Sequence, residues 1–331
     1  MKVLISMLFV FQLLTGEVEF TGKSYIVYDR INDYITEGYN IKHVQSVASI
    51  SKIMTAILVI ENMDLDQEIT VDETINKAYG SCVYIHINDK ITIQDLLYGL
   101  MLRSGNDCAL MLAKATANSV EEFVKMMNEK AIELKMYHTT FSNPSGLDEE
   151  DQGNLSTVED MAILYDYCSD NPIFNEITAT ESYQRRDGKG IWHNKNRLLK
   201  EYEYCIGGKT GFTKKARRTL ITRAKKDHND LIIVTFNCGN DFEFHQKKYE
   251  ACFKQYDQLV LFDKGVRSIE GNLYIFDEDI VIGRYDEKVS YKVNDGYLLI
   301  YLNDQCIGKK QLETYSFYHL MTMIWRDLLL G

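Results

Sequence analysis

Ser49 stands three residues before Lys52, and two further short motifs, Ser104-Gly105-Asn106 and Lys209-Thr210-Gly211, follow it in the chain. A serine hydroxyl is a weak nucleophile. Acyl transfer through it needs an adjacent base, donors for the charge that develops on the attacked carbonyl, and groups that orient the substrate. Positions i and i+3 of a helix share a face, so Lys52 reaches the Ser49 oxygen and, held neutral by its surroundings, accepts the hydroxyl proton. Ser51 is the rival nucleophile, but the residue three positions after it is Met54, which cannot act as a base. The register therefore selects Ser49.

The other two motifs complete the set. Ser104 fits a proton relay and Asn106 a hydrogen bond to a substrate amide. Lys209 supplies a second cation and Thr210 a carboxylate contact. Gly211 lets a substrate backbone approach closely and pair with a strand edge. Taken singly, each motif also has a plain structural explanation: an N-cap at Ser49, a helix-ending turn at Gly105-Asn106, and an exposed strand lysine at Lys209. The ordered trio is what points to one active site.

These side chains need elements to position them. Ser24 to Asp29 and Tyr34 to Tyr39 are β-rich runs around Arg30-Ile31-Asn32-Asp33, which reads as a hairpin. Ser49 to Ile60 is apolar almost throughout, and its length, without Gly or Pro, favours a buried helix over a long strand. Helix starts follow at Thr92, at Ser119 with Glu122, and at Ser156 with Glu159, the last two as capping boxes. From Gly207 the pattern turns to β, with runs at Gly208 to Phe212, Thr219 to Ala224 and Leu231 to Phe236. A helix from Phe244 to Leu261 then closes the large domain. Strands, then helices, then strands imply an α+β fold, in which both chain ends complete an antiparallel sheet around an inserted helical region. Short strands near Leu273 to Phe276, Ile280 to Ile282, Val289 to Val293 and Leu298 to Leu302 suggest a small all-β module. The expected organisation is a leader over 1–16, a main domain over 17–264, a β domain over 265–314 and an apolar helix over 315–331.

Composition narrows the function. Of 331 residues, 45% are hydrophobic, enough for a sizeable core, and 37 Lys plus Arg against 48 Asp plus Glu leave a net charge of −11. With no basic block to follow a phosphate backbone, nucleic acid is excluded as a partner. Met1-Lys2 followed by the apolar Val3 to Leu14 reads as a secretory leader, so the protein is expected to be exported. Cys82, Cys108, Cys168, Cys205, Cys238, Cys252 and Cys306 lack zinc-type spacing, and no metal or cofactor is expected. The set leaves one disulfide open, with buried apolar thiols the commoner arrangement. For Tyr315 to Leu330, packing on the β module and peripheral contact with a membrane surface both remain open.

Ala48-Ser49-Ile50-Ser51-Lys52-Ile53-Met54-Thr55, Leu102-Arg103-Ser104-Gly105-Asn106-Asp107, Asn143-Pro144-Ser145-Gly146-Leu147 and Gly208-Lys209-Thr210-Gly211-Phe212-Thr213 together resemble the D-alanyl-D-alanine carboxypeptidases, the low-molecular-mass penicillin-binding proteins. The resemblance runs from about Ser24 to Gly265. It implies a penicillin-binding/β-lactamase-like fold, peptidoglycan stem peptides as substrate and β-lactam antibiotics as covalent inhibitors. It further implies Ser49 as nucleophile, Lys52 as base, Ser104 as proton shuttle and Asn106 as amide clamp. Lys209 and Thr210 would hold the terminal carboxylate, and the N–H groups of Ser49 and Phe212 would form the oxyanion hole. The chain departs from the family at Ala216-Arg217-Arg218, where Ala-Gly is usual. Arg217 is then open to a carboxylate contact or to solvation. A serine β-lactamase of class A would need a Glu-x-x-Leu-Asn segment between the second and third motifs; the segment Glu149-Glu150-Asp151-Gln152-Gly153-Asn154 puts its Asn in the wrong register. A binding protein without turnover is opposed by the intact Ser49, Lys52, Ser104 and Lys209.

Overall fold

The computed structural model describes residues 19–148, 153–227, 229–255, 258–283, 289–302 and 305–315. The leader and nearly all of the C-terminal apolar segment lie outside them. Among the described residues no helix is long and apolar enough to cross a membrane.

The hairpin forms over the residues expected, β1 (Ser24–Asp29) and β2 (Tyr34–Tyr39). Late in the chain come β3 (Cys205–Thr213), β4 (Arg217–Lys226) and β5 (Asn229–Phe236), each longer than its apolar run. The five make one sheet in the order β2-β1-β5-β4-β3, so strands from both ends of the large unit pair with each other. Every residue of β5 is buried, which requires both faces of the sheet to be covered. β3, with the third motif, is an outer strand.

Between β2 and β3 lie α1 (Lys52–Asn62), α2 (Ile93–Leu102), α3 (Asn106–Ala117), α4 (Val120–Glu133), α5 (Val158–Cys168) and α6 (Pro172–Ala179). α1 is buried continuously from Lys52 to Val59, as a helix apolar on all sides must be. Its Ile53, Met54 and Ile57 share a core with Ile221, Ile232 and Val234 of the sheet and with Leu96, Leu100 and Leu112 of the other helices. On the opposite face lies α7 (Asp241–Gln255), whose His245 bonds the hydroxyls of Thr222 at 2.7 Å and Thr235 at 2.9 Å.

Two sequence expectations are corrected. The closing helix stops at Gln255, and Gln258–Phe262 is a strand paired with Ile280–Gly283. A short apolar run suits either element, and the available strand partner decides. The cap of α5 is Thr157, whose hydroxyl accepts from Asp160 N at 3.0 Å. Ser156 lies one residue earlier, in a strand paired with Gln45, its hydroxyl 2.7 Å from that of Thr139. At Ser119 the hydroxyl caps Glu122 N, while the Glu122 carboxylate pairs with Lys125.

Contacts divide the chain into two units, one of Met1–Tyr28, Ile35–Lys225 and Asp230–Ala251, the other of Asp29–Tyr34, Lys226–Asn229 and Cys252–Gly331. The second contains the expected β module, with antiparallel ladders joining Gly265–Ile269, Asn272–Phe276 and Glu313–Thr314, and joining Val289–Asn294, Tyr297–Leu302 and Gln305–Gln311. All seven cysteines are free thiols.

Candidate active site

Ser49 lies in a 3-10 turn, Ala48–Ser51, that runs directly into α1. Ala48 enters it at φ +52°, a left-handed conformation that side chains adopt only when surrounding structure enforces it. Here the neighbours are held on both sides: Val47 N donates to Asn154 O at 3.1 Å, and Thr219 Oγ1 donates to Val47 O at 3.0 Å. The rival Ser51 is fully buried and its hydroxyl donates to Ala48 O at 2.8 Å. Only Ser49 of the pair faces the cleft.

Lys52 is completely buried. Its Nζ lies 3.2 Å from Ser49 Oγ, 2.7 Å from Asn106 Oδ1 and 2.5 Å from Ser145 O. A neutral amine has two N–H groups and one lone pair. Carbonyl oxygens can only accept, so the two N–H groups go to Asn106 and Ser145 and the lone pair is left for the Ser49 hydroxyl. Burial lowers the Lys52 pKa from 10.5 to about 7, because desolvation disfavours the charged form.

The second motif bridges two helices. α2 ends at Leu102, Ser104 takes φ +64°, and Asn106 is the first residue of α3. The turn is fixed by Gly105 N donating to Gly99 O and Asn106 N to Ser81 O. The buried Asp107 carboxylate accepts from the backbone N–H groups of Val83, Tyr84 and Ile85, tying that loop to the start of α3. The Asn106 side chain is engaged at both ends, its oxygen by Lys52 and its nitrogen by Tyr79 O at 2.5 Å.

Lys209, on β3, is 1% exposed and donates to Ser104 Oγ at 3.1 Å and Thr210 O at 2.8 Å. Its pKa lies well below the usual lysine value, through desolvation first and then the nearby charges of Lys52 and Lys195. The ladder pairs Gly211 with Thr219 and Phe212 with Arg218. A Cβ on Gly211 would overlap Thr219 Oγ1 and lie 3.0 Å from Ser49 N. The space this glycine leaves is taken by the chain's own Ser49 turn, whereas the sequence reading gave it to a substrate.

Ser49, Ser104, Thr210, Gly211 and Phe212 line one cavity of about 250 Å³. Pattern reading missed Lys195, Arg218, Asp241 and Phe242, which line it too. Arg217, the residue that departs from the family pattern, is exposed at φ +59°. Its neighbour Arg218 faces the cleft instead. The Arg218 Nε and Nη2 donate to the buried Asp241 carboxylate at 3.1 and 2.7 Å, and the guanidinium lies 5.3 Å from the Phe242 ring.

A family model described as D-alanyl-D-alanine carboxypeptidase matches residues 12–240. D-alanyl-D-alanine carboxypeptidase DacF of Bacillus subtilis is 32% identical over 261 residues, 76% of this chain and 67% of that protein. The crystal structure of a D-alanyl-D-alanine carboxypeptidase from Mycobacterium tuberculosis superposes at a TM-score of 0.67 and 28% identity, covering 72% of this chain and 94% of that one. Penicillin binding protein 5 from Haemophilus influenzae superposes at 0.74 and 23% identity over 90% and 98% of the two chains, a likeness in fold.

Proposed function

The chain belongs to the D-alanyl-D-alanine carboxypeptidase family and is a serine-type peptidase, and we propose that it removes the terminal D-Ala from peptidoglycan stem peptides through an acyl-enzyme on Ser49. The observation that carries this reading is the Lys52 amine, fully buried, 3.2 Å from Ser49 Oγ and with its pKa lowered to about 7.

In the first half-reaction, Lys52 Nζ takes the Ser49 proton as Oγ attacks the carbonyl carbon of the penultimate D-Ala. The electron pair of the C=O bond moves to oxygen, and the N–H groups of Ser49 and Phe212 hold the oxyanion. The proton passes through Ser104 to the leaving nitrogen, the C–N bond breaks, D-Ala departs and an ester on Ser49 remains. Lys209 acts on the Ser104 hydroxyl, 3.1 Å from its Nζ. Water then attacks the ester, its proton returning through the same groups to Ser49 Oγ. Asn106 holds Lys52 through its amide oxygen. As β3 is an outer strand, a substrate backbone pairs along its edge. Because Lys209 is buried, the terminal carboxylate meets Thr210 and the solvent-facing edge of Arg218. A β-lactam enters the same first half-reaction and stays as a slowly hydrolysed ester.

This substrate lies outside the cytoplasm. The apolar stretch within residues 1–16 serves export in this reading, and the apolar C-terminal segment peripheral contact with the membrane. A fluorescent penicillin tests the assignment: labelling is expected in the wild type and lost in Ser49→Ala, and the wild type releases D-Ala from a defined pentapeptide. Equal labelling of both proteins would remove Ser49 as nucleophile.

A further inference from the structure

The segment Asn143-Pro144-Ser145-Gly146-Leu147-Asp148 carries no group in the reaction above, yet it touches Lys52, the Ser49 turn and the end of β3. Asn143 organises it, the side-chain oxygen accepting from Ser145 N and Gly146 N and the side-chain nitrogen donating to Leu147 O. Ser145 O accepts from Lys52. Thr55 Oγ1 on α1 donates to Pro144 O at 2.7 Å. Gly146 lies at φ +80°, against the carbonyl of Ala48.

Asp148 ends this segment and joins two elements that are otherwise separate in sequence. One carboxylate oxygen accepts from Ser46 Oγ at 2.6 Å, three residues before Ser49; the other accepts from Thr213 Oγ1, one residue after Phe212. The Thr213 hydroxyl is itself an acceptor, from Ala216 N at 3.0 Å, so its proton is committed to Asp148. Ser46 is 4% exposed. Hydrogen bonds to an ionised group are about twice as strong as neutral ones. The two N–H groups assigned to the oxyanion hole lie just beyond these two anchor points, on the Ser49 turn and on β3. We infer that Asp148 is a positioning residue that fixes the distance between the Ser49 turn and the end of β3, and with it the width of the oxyanion hole.

This inference rests on the acyl-enzyme reading, and its test keeps the two apart. The full-length protein is acylated with a penicillin carrying carbon-13 at the β-lactam carbonyl, and the ester C=O band is read by difference infrared spectroscopy. Close donors polarise the carbonyl and lower its frequency. Asp148→Asn sets a donor amide against a hydroxyl, and Thr213→Val removes the hydroxyl. Each is expected to raise the band frequency and to slow acylation by about tenfold or more. The double variant is expected to be no slower than the worse single variant, since both changes break the same link. If Asp148→Asn fails to fold, Thr213→Val carries the same readout. A wild-type band and acylation rate in the variants would overturn the positioning role and leave Ser49 untouched. A wild type that forms no acyl-enzyme would remove the premise itself.

Discussion

Lys52 and Lys209 are the same residue type, both buried, with different neighbours. Around Lys52 are two carbonyl acceptors and one hydroxyl; around Lys209 are a hydroxyl and a single carbonyl. The proton count therefore matters most at Lys52, where an ammonium would point a third N–H at Ser49 Oγ and leave no lone pair for its proton. In the proposed reaction the active form is the neutral one, and lowering the pKa brings that form into the neutral range. The second-order rate constant for penicillin acylation is expected to rise with pH through about 7 and then level. Stopped-flow acylation from pH 5 to 9 checks it, and a flat profile would remove Lys52 as base.

At the scale of elements, two stretches of backbone approach the Ser49 turn closely at glycines. Gly146 takes φ +80° against Ala48, and Gly211 stands beside Ser49 N. Gly146→Ala adds both a left-handed strain of roughly 1–2 kcal/mol and an overlap with the Ala48 carbonyl, so the Ser49 turn must shift. A loss of about 1–3 kcal/mol in denaturant unfolding is expected, with acylation slowed more than the stability loss alone would cause. Wild-type acylation in a destabilised variant would uncouple this contact from the turn. Much of this scale is legible in sequence because the signals are local: the Arg30 to Asp33 turn, the Thr92 cap and the apolar length of α1 each act within a few residues. The misplaced cap at Ser156 and the misread stretch Gln258 to Leu261 fail for the opposite reason, since strand partners far along the chain decide both. Within the site, Ser49, Lys52, Ser104 and Lys209 stand out as short motifs. Asp148 and Arg218 carry no such mark, because their meaning lies in bonds to Ser46, Thr213 and Asp241 across the fold.

For the whole molecule, the site is a set of buried titratable groups that tertiary packing must hold against their preference for water. His245, fully buried between two threonines, has its pKa lowered from 6.5 to about 3 by desolvation. The unfolded chain binds this proton and the folded one does not, so the burial of His245 costs nothing above pH 6.5 and lowers stability as pH falls toward 3, by up to about 1.4 kcal/mol per pH unit. The amines give the same sign in a higher window. Lys52 and Lys209 have folded pKa values below the 10.5 of the unfolded chain, so the unfolded state holds more protons and stability climbs as pH rises toward 10.5. A buried polar group kept for catalysis is a place where stability was given up. Lys209→Met replaces the amine with an apolar chain of similar length and removes the N–H donor facing Ser104. The variant is expected to melt higher than the wild type at pH 7, by roughly 1–2 °C for about 1 kcal/mol in a chain of this size, with a flatter rise toward alkaline pH and D-Ala release reduced by about 10²-fold or more. Calorimetry across pH 6 to 10 with a D-Ala assay checks both halves. A variant that melts lower and keeps its alkaline slope would mean that the Ser104 and Thr210 hydrogen bonds outweigh the cost of burying the amine.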